Sequence, residues 1–525
     1  MTMWTLARRS AALQGAAKRL GNNRSRAAIG VQAFAAMSTA AEASTSTKYN
    51  PSMRIDNINE HLVKMEYAVR GEVPVAAGKI AQELRQGSKD YPFDKILLCN
   101  IGNPQAVGAP AISFYRQVLS LVDNPRLLAP EHRENLQKLY TEEEISRAEE
   151  LVKNIPGGSG AYSDSQGVEL IRKNVAKFIE DRDGYPCDHT KLFLTNGASS
   201  GIQLLLTAII ADPTHSVMTP TPQYPIYSAL IALFNGQAEG YYLDESKQWA
   251  LTEDELNRSY ESSVAKGNTP RAFVLINPGN PTGNVLSYDD LASVVRFCAK
   301  KNLVLLADEV YQENIYQDKP FISAKKVMQD LDIPIELASF HSTSKGFIGE
   351  CGRRGGYMEL CNFDEDVFGQ LVKLANAGLC SNLDGQVMTD LMVRPPTKDS
   401  APQFQEERGA ILGGLKEKAK MIERMLNEVP GVSCQPADGA MYAFPTITLP
   451  KAFIEDAKAK GKAPDTMYAL SLLRATGICA VPGSGFDQVP GTFHLRLTIL
   501  PETKELEAAL HRFREHHEEL VKKWE

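Results

Sequence analysis

The sequence predicts an α/β fold in which a three-layer large domain, built on a mostly parallel seven-stranded sheet, is followed by a smaller α+β domain. Seven short apolar runs alternate with helical segments between residues 192 and 360, as parallel strands joined by crossover helices do. Runs such as 272–276 and 303–307 are continuously apolar, which is typical of strands that are covered on both faces. After Pro395-Pro396 the apolar runs become shorter, which indicates the second domain.

The seven strands of the predicted sheet follow one another along the chain. They are predicted at residues 192–195, 217–220, 239–243, 272–276, 303–307, 337–340 and 355–360. Apolar residues at helical spacing predict helices between most of these strands, including one at 201–210, and another before them at 168–179.

The region before the sheet is predicted to be an arm and a helix. Residues 53–87 have a helical period that is interrupted at Gly71 and Pro74. Residues 96–101 are then predicted to form a short buried strand. The turn after that strand contains Gly102, where the missing side chain would let a small substrate approach the backbone.

The region after the sheet is predicted to begin with a long charged helix at 403–427. Strands are predicted at 440–444 and 493–498, with helices between and after them. The predicted regions are a disordered transit peptide (1–45), an N-terminal arm with part of the small domain (46–110), a large domain (111–394) and a C-terminal small domain (395–525).

The first 45 residues differ in composition from the rest of the chain. Basic residues are interleaved with Ala, Ser and Leu, and the first acidic residue is Glu42. Such Arg-rich, acid-poor composition is typical of organellar transit peptides. We predict import into the mitochondrial matrix, with plastid import as the alternative; a disordered tail without a targeting role is the other interpretation.

Composition argues against several classes of partner. The 525 residues are 43% hydrophobic and 23% charged, with a formal net charge of −7, so neither nucleic acid nor a membrane surface is expected as a partner. The longest apolar run, 202–211, is too short to span a bilayer. The eight cysteines never form C-x-x-C, so we predict a reducing compartment, no disulfide framework and no metal site.

Polar groups follow five of the predicted strands, and ligands bind at this edge of open α/β sheets. Together these groups would suit an aromatic, phosphorylated, electron-withdrawing cofactor. They are Asn196 to Ser200, Tyr224, Asn280, Asp308 with Tyr311, and Ser342 to Lys345.

Asp308 and Lys345 are the most informative of these positions. Asp308 ends an apolar strand, where a carboxylate is costly to desolvate unless it meets a cation such as a protonated ring nitrogen. Lys345 follows two serines and precedes Arg353 and Arg354, a set that suits a phosphorylated ligand held beside a nucleophilic amine. Taken singly, Asp308 could be a helix cap and Lys345 part of a solvated loop.

Three motifs in this order, NPGNPTG, ADEVY and HSTSKG with the later RGG, resemble those of the fold-type I pyridoxal-phosphate aminotransferases. The segments PQYPIYSA, DGAMYAFP and GICAVPGSGF are more closely similar to the alanine aminotransferase branch of that family. The resemblance covers the chain after about residue 50.

The resemblance implies roles around the ring of pyridoxal 5'-phosphate. Lys345 would be the attachment point of the cofactor and the general base and acid that moves a proton between the substrate and the cofactor. Asp308 would pair with the ring nitrogen. Asn280 and Tyr311 would hydrogen-bond the ring hydroxyl oxygen, and Tyr224 would stack on the ring.

The resemblance also implies how the phosphate is held. Backbone donors at Ala198 and Ser199 would bind it at a helix start, together with the hydroxyls of Ser342 and Ser344. An arginine would complete the site, which we assign to Arg354 with Arg353 as the alternative.

The remaining implied residues concern the substrate and a second subunit. Arg496 would bind the substrate α-carboxylate in a bidentate pair, and both Gly102 and Asn280 would line the substrate pocket. Tyr162 would reach the phosphate of a neighbouring subunit, which implies a homodimer with shared active sites.

The function that the resemblance implies is a ping-pong transamination of small amino and 2-oxo acids, from L-alanine and 2-oxoglutarate to pyruvate and L-glutamate. A glutamate–glyoxylate aminotransferase is the alternative within the family. A non-catalytic, ligand-sensing relative is a third possibility, but it would be expected to lack Lys345, Asp308 or Arg496. A phosphate-binding protein of another family would leave Asn280 and Lys345 together unexplained.

Overall fold

A seven-stranded sheet lies at the centre of the structure, a computed structural model that describes residues 52–66, 71–317 and 320–525. The strand order is β2-β8-β7-β6-β5-β3-β4. Strand β8 runs antiparallel to both of its neighbours, and the other pairs are parallel. The predicted mostly parallel sheet is therefore confirmed.

The strands of this sheet agree with the predicted runs to within three residues at each end. They are β2 Leu192–Leu194, β3 His215–Thr221, β4 Gln237–Tyr242, β5 Thr269–Ile276, β6 Val304–Asp308, β7 Leu337–Ser342 and β8 Gly356–Cys361.

Side chains from the central strands are buried on both faces of the sheet. Val274 and Leu306 belong to one core cluster, while their chain neighbours Phe273 and Leu305 belong to another. Because successive residues of a strand point to opposite faces, helices must cover both sides. This explains why the strand sequences are continuously apolar.

The remaining strands form small sheets of two or three strands, with the order β1-β12, β10-β14-β13 and β11-β9. They are β1 Leu97–Leu98, β9 Val432–Ser433, β10 Tyr442–Ala443, β11 Thr446–Ile447, β12 Ile478–Cys479, β13 Val481–Pro482 and β14 Leu495–Thr498. Strand β1 pairs in parallel with strand β12, so residues 97–98 and 478–479 belong to one small sheet.

The α-helices surround these sheets. They are Glu60–Lys64, Glu72–Arg85, Ser113–Asp123, Arg133–Leu136, Glu142–Asn154, Glu169–Asp183, Ala198–Ile209, Ile226–Leu233, Glu253–Ala265, Tyr288–Lys301, Ala324–Asp330, Glu365–Ala377, Leu383–Val393, Pro402–Asn427, Lys451–Ala459, Pro464–Thr476 and Thr503–Trp524. Among the described residues, no helix is both long enough and apolar enough to cross a membrane.

Two predictions for the N-terminal region are wrong in detail. The strand expected at 96–101 is only two residues long, and Leu98 and Ile101 are more than one-third exposed, because the chain leaves the strand for the site described below. Pro74 does not interrupt a helix but lies in the first turn of Glu72–Arg85, where a missing backbone N–H costs no helical hydrogen bond.

The contacts divide the chain into residues 1–59 and residues 60–525. Of the first unit the structure describes only 52–59, in which the backbone N–H of Arg54 donates to Oδ1 of Asn57. The transit peptide predicted at 1–45 lies outside the described residues. The boundaries predicted at 110/111 and 394/395 stay predictions.

Candidate active site

Three neighbouring strand ends bring the predicted residues to one edge of the sheet. In the register of the sheet, Asp308 at the end of β6 is opposite Ile276 of β5 and Phe340 of β7. The chain continues from those two residues to Asn280 and to Lys345. The amide of Asn280, the carboxylate of Asp308 and the amine of Lys345 therefore lie at the same edge of the sheet.

Asp308 is almost completely buried, with 3% of its surface exposed. Burial raises the pKa of its carboxyl group to about 6. The pKa would be higher still without the hydroxyl of Tyr227, which donates a hydrogen bond of 3.0 Å to Oδ2, and without the charge of Lys345. The carboxylate is thus kept ionised in a site that disfavours a negative charge, as a partner for a cationic ligand group requires.

The amine of Lys345 is half-buried and held by the backbone. Its Nζ donates a hydrogen bond of 2.8 Å to the carbonyl of Gly102 and lies 5.6 Å from the ring centre of Tyr311. The next residue, Gly346, has a positive φ of 68°, and its N–H donates to Oδ1 of Asn314. The loop is therefore fixed immediately after the lysine.

Arg496 is a buried cation with neutral hydrogen-bond partners. It is 2% exposed and donates to Oδ1 of Asn280 at 3.2 Å and to the carbonyl of Asn100 at 2.7 Å. Its guanidinium lies 4.3 Å from the ring centre of Tyr442 and 4.7 Å from that of Phe486. Its Nε has no hydrogen-bond partner within the described residues. A buried guanidinium of this kind favours the binding of an anion such as a carboxylate.

Tyr311 connects the lysine region with the arginine region. Its buried hydroxyl donates a hydrogen bond of 3.0 Å to the hydroxyl of Tyr442, and the two rings meet edge to face. Burial raises the pKa of both Tyr227 and Tyr311, and the half-buried Tyr224 is close enough to both to oppose their ionisation further. The structure therefore brings Tyr224 to the same pocket.

A cradle of donors forms at the start of helix Ala198–Ile209. Gly197 precedes the helix with a φ of 72°, and a Cβ there would lie 2.5 Å from a guanidinium nitrogen of Arg354. Arg354 donates to the hydroxyls of Ser199 at 3.3 Å and Ser344 at 3.4 Å. The free N–H groups of the first helical turn and this cation together form a site for an anion.

Ser342 and Arg353 have other partners. The hydroxyl of Ser342 donates to the carbonyl of Gly355 and accepts from the N–H of Ser344. These two hydrogen bonds stabilise the loop that precedes Lys345. Arg353 pairs with Asp384 at 2.8 Å. Of the two arginines considered, Arg354 is therefore the one that the structure brings to Ser199 and Ser344.

Tyr162 is not brought to the site. It is 76% exposed, and the hydrogen bonds that define the site do not involve it. Its position on the surface of this chain agrees with a role toward another chain, which stays a prediction.

Four residues of the site were missed from the sequence: Asn100, Tyr227, Tyr442 and Phe486. A signal existed for Tyr227, which comes only three residues after Tyr224, in the first turn of helix Ile226–Leu233. Tyr442 lies in the segment DGAMYAFP, but no feature of the neighbouring sequence distinguishes it from a tyrosine of the core.

The donors and acceptors of this site suit a small phosphorylated aromatic ligand together with a carboxylic acid. The cation of Arg354, the carboxylate of Asp308 and the amine of Lys345 occupy separate positions, and Tyr442 lies next to both the amine and the buried guanidinium of Arg496. No group of three or more His, Cys, Asp or Glu side chains in residues 52–66, 71–317 and 320–525 is arranged to hold a metal ion.

Comparison with known sequences gives one family. A model of the family "Aminotransferase class I and II" matches residues 134–513. The chain is 47% identical over 487 residues to a probable mitochondrial alanine aminotransferase of Dictyostelium discoideum, covering 91% of each protein. It is 45% identical to human alanine aminotransferase 1, covering 89% of this chain and 94% of the human protein. It is also 43% identical to glutamate–glyoxylate aminotransferase 2 of Arabidopsis thaliana, covering 89% and 96%.

Comparison with solved structures gives the same fold. An aminotransferase from Escherichia coli superposes with a TM-score of 0.70 at 25% identity, covering 90% of this chain and all of the other. An alanine aminotransferase from Pyrococcus furiosus superposes with a TM-score of 0.68 at 22% identity, covering 88% of this chain and all of the other.

Proposed function

This chain belongs to the class I and II aminotransferases, and we propose that it transfers an amino group between L-alanine and 2-oxoglutarate, yielding pyruvate and L-glutamate, with pyridoxal 5'-phosphate as cofactor. The observation that carries the proposal is the position of the buried guanidinium of Arg496 beside the amine of Lys345, with Tyr442 between them. A carboxylate bound at the guanidinium would present its α-carbon to the amine.

The residues present suit this cofactor. Arg354, Ser199 and Ser344 would hold its phosphate with the N–H groups at the start of helix Ala198–Ile209, and Ser342 would brace them. The ionised carboxylate of Asp308 would hold the proton of the ring nitrogen, while Asn280 and Tyr311 would bind the ring hydroxyl oxygen and Tyr224 would cover the ring. When bound, the cofactor supplies an electron sink next to the substrate α-carbon.

The protein side of the reaction is a proton transfer. Lys345, once its amine is free, would take the proton from the α-carbon of the substrate and hold it for return to the substrate–cofactor adduct. Arg496 and Asn280 would fix the substrate carboxylate, so that the bond to the α-hydrogen is aimed at the amine. Gly102 would line the substrate pocket next to the amine, because its carbonyl accepts the hydrogen bond from Nζ of Lys345.

We also propose a homodimer and a mitochondrial location for this chain. A homodimer with shared active sites would place the exposed Tyr162 of one subunit at the phosphate site of the other. Relatives from Dictyostelium discoideum and Arabidopsis thaliana are named mitochondrial, which supports the mitochondrial matrix over the plastid for this chain.

The test is a pair of half-reactions on purified protein. Addition of L-alanine should convert the visible absorption of the lysine-bound cofactor to that of its aminated form and release pyruvate, and 2-oxoglutarate should reverse the change. Absence of a lysine-linked chromophore, or no response to L-alanine, would refute the proposal. A faster response to glyoxylate than to 2-oxoglutarate as the acceptor would favour the glutamate–glyoxylate alternative.

A further inference from the structure

Tyr442 contacts two residues of the site, one through its hydroxyl and one through its ring. It accepts the hydrogen bond from the hydroxyl of Tyr311, and the ring of Tyr442 lies 4.3 Å from the guanidinium of Arg496. Tyr442 is 2% exposed and lies in strand β10, which pairs with β14, the strand that carries Arg496. The small sheet therefore fixes this side chain relative to the substrate arginine.

Gly102 shows how closely Tyr442 approaches the lysine. A Cβ built on Gly102 would overlap the Tyr442 hydroxyl and would lie 3.0 Å from Nζ of Lys345. The hydroxyl and the amine therefore border the same small space. A glycine is required at this position because that space is already filled.

The charges around Tyr442 favour a hydroxyl that polarises easily. Burial by itself would raise its pKa, but the positive charges of Lys345 and Arg496 and the hydrogen bond from Tyr311 hold the pKa below its usual value, against a smaller opposing effect of Cys351. Burial strongly raises the pKa of the neighbouring Tyr311. Of the pair, Tyr442 is therefore the better partner for a neighbouring amine.

We propose, on the basis of the proposed transamination, that Tyr442 is a positioning residue for proton transfer: its hydroxyl holds the amine of Lys345 at the substrate α-carbon while its ring holds Arg496 at the substrate carboxylate. The two functions belong to different atoms of one side chain. Replacement by phenylalanine removes the first function and keeps the second, so the two are separable by experiment.

The test compares the wild-type enzyme with Tyr442→Phe, both loaded with cofactor. We expect kcat for L-alanine with 2-oxoglutarate to fall by about 10-fold to 100-fold, the loss expected when a reacting group is misplaced by about 1 Å. KM should stay within about threefold, because the guanidinium and the ring over it are unchanged. The kinetic isotope effect with α-deuterated L-alanine should increase, since proton transfer becomes the slower step.

A second readout does not depend on turnover. The alanine analogue 2-methylalanine has no α-hydrogen, so it binds without reacting further, and its binding can be followed in the visible spectrum of the cofactor. Its Kd for Tyr442→Phe should be within about threefold of the wild-type value. A kcat within about twofold of wild type, or a parallel loss of kcat and of 2-methylalanine binding, would overturn the proposal.

Two variants serve as controls. Tyr115 is a completely buried tyrosine in a different core cluster, and its hydroxyl has no hydrogen-bond partner in the described part of the chain, so Tyr115→Phe should leave kcat unchanged. Gly102→Ala should lower kcat in the wild-type background and should lower it less in the Tyr442→Phe background, since the hydroxyl that the new methyl group would displace is gone.

If wild-type protein has no half-reaction with L-alanine, the proposed function itself fails, and that result is distinct from an unchanged kcat in Tyr442→Phe.

Discussion

The hydroxyl of Tyr227 donates a hydrogen bond of 3.0 Å to Oδ2 of Asp308, and neither side chain is more than 3% exposed. This bond connects helix Ile226–Leu233 to the end of β6. It stabilises the ionised carboxylate, whose pKa burial raises to about 6. The ionisation of the proposed partner of the cofactor ring nitrogen therefore depends on a neighbouring buried tyrosine.

Replacement of Tyr227 by phenylalanine should weaken the ionised form of Asp308. The pKa of the carboxyl group would rise above about 6, so the acid limb of the pH–activity profile should move to higher pH. Near pH 7 we expect kcat to fall by roughly 10-fold, as for the loss of one hydrogen bond to a charged group. A profile that coincides with wild type at every pH would show that Tyr227 does not act on Asp308.

Asp308→Asn should abolish activity but stabilise the protein without cofactor. Because the folded pKa of about 6 exceeds the usual value of 3.8, the folded protein binds more protons than the unfolded chain between these values, and its stability falls as pH rises through this window. Removing the ionisable group should raise the free energy of unfolding at pH 7 by up to roughly 3 kcal/mol.

Thermal melts of the cofactor-free proteins at pH 4 and pH 7 measure this effect. The Tm advantage of Asp308→Asn should be large at pH 7 and small at pH 4. An advantage that is the same at both pH values would contradict the assigned ionisation.

Arg496→Lys should weaken binding of both substrates. A lysine cannot reproduce the planar fork that reaches Asn280, Asn100 and a carboxylate together. We expect KM for L-alanine and for 2-oxoglutarate to rise by about 100-fold, equivalent to roughly 3 kcal/mol. Unchanged affinities for both acids would remove Arg496 from the substrate site.

The two arginines after Lys345 should differ in their effect on cofactor binding. Arg354→Gln removes the cation that donates to Ser199 and Ser344, and the Kd for pyridoxal 5'-phosphate should rise by at least about 10-fold. Arg353→Gln is the matched control, because Arg353 pairs with Asp384. Equal losses in the two variants, or a larger loss for Arg353→Gln, would reverse the assignment.

The sequence was sufficient to predict the central sheet and the residues that directly follow its strands. Asn280, Asp308 and Lys345 could be placed together because each comes within a few residues of a buried parallel strand, and such strands end at one edge. The sequence favoured Arg354 but left Arg353 as the alternative, because the contacts that distinguish them involve Asp384 and Ser199, which are distant in the chain.

The missed residues reach the site through tertiary packing. Tyr442 arrives because β10 pairs with β14, and Asn100 arrives because the chain leaves β1 after two residues and meets Arg496 instead of continuing the strand. Neither the pairing of β10 with β14 nor the early end of β1 produces a periodic pattern in the local sequence. The departure of the chain from β1 toward Arg496 also explains why the strand predicted over 96–101 is so short.

The most direct test of the account is the identity of the lysine that carries the cofactor. Purified protein should be reduced with borohydride, digested and mapped by mass spectrometry. We predict the mass of the reduced cofactor on the peptide that contains Lys345, and its loss in a folded Lys345→Ala variant. Attachment to another lysine, or normal transamination by Lys345→Ala, would contradict the account.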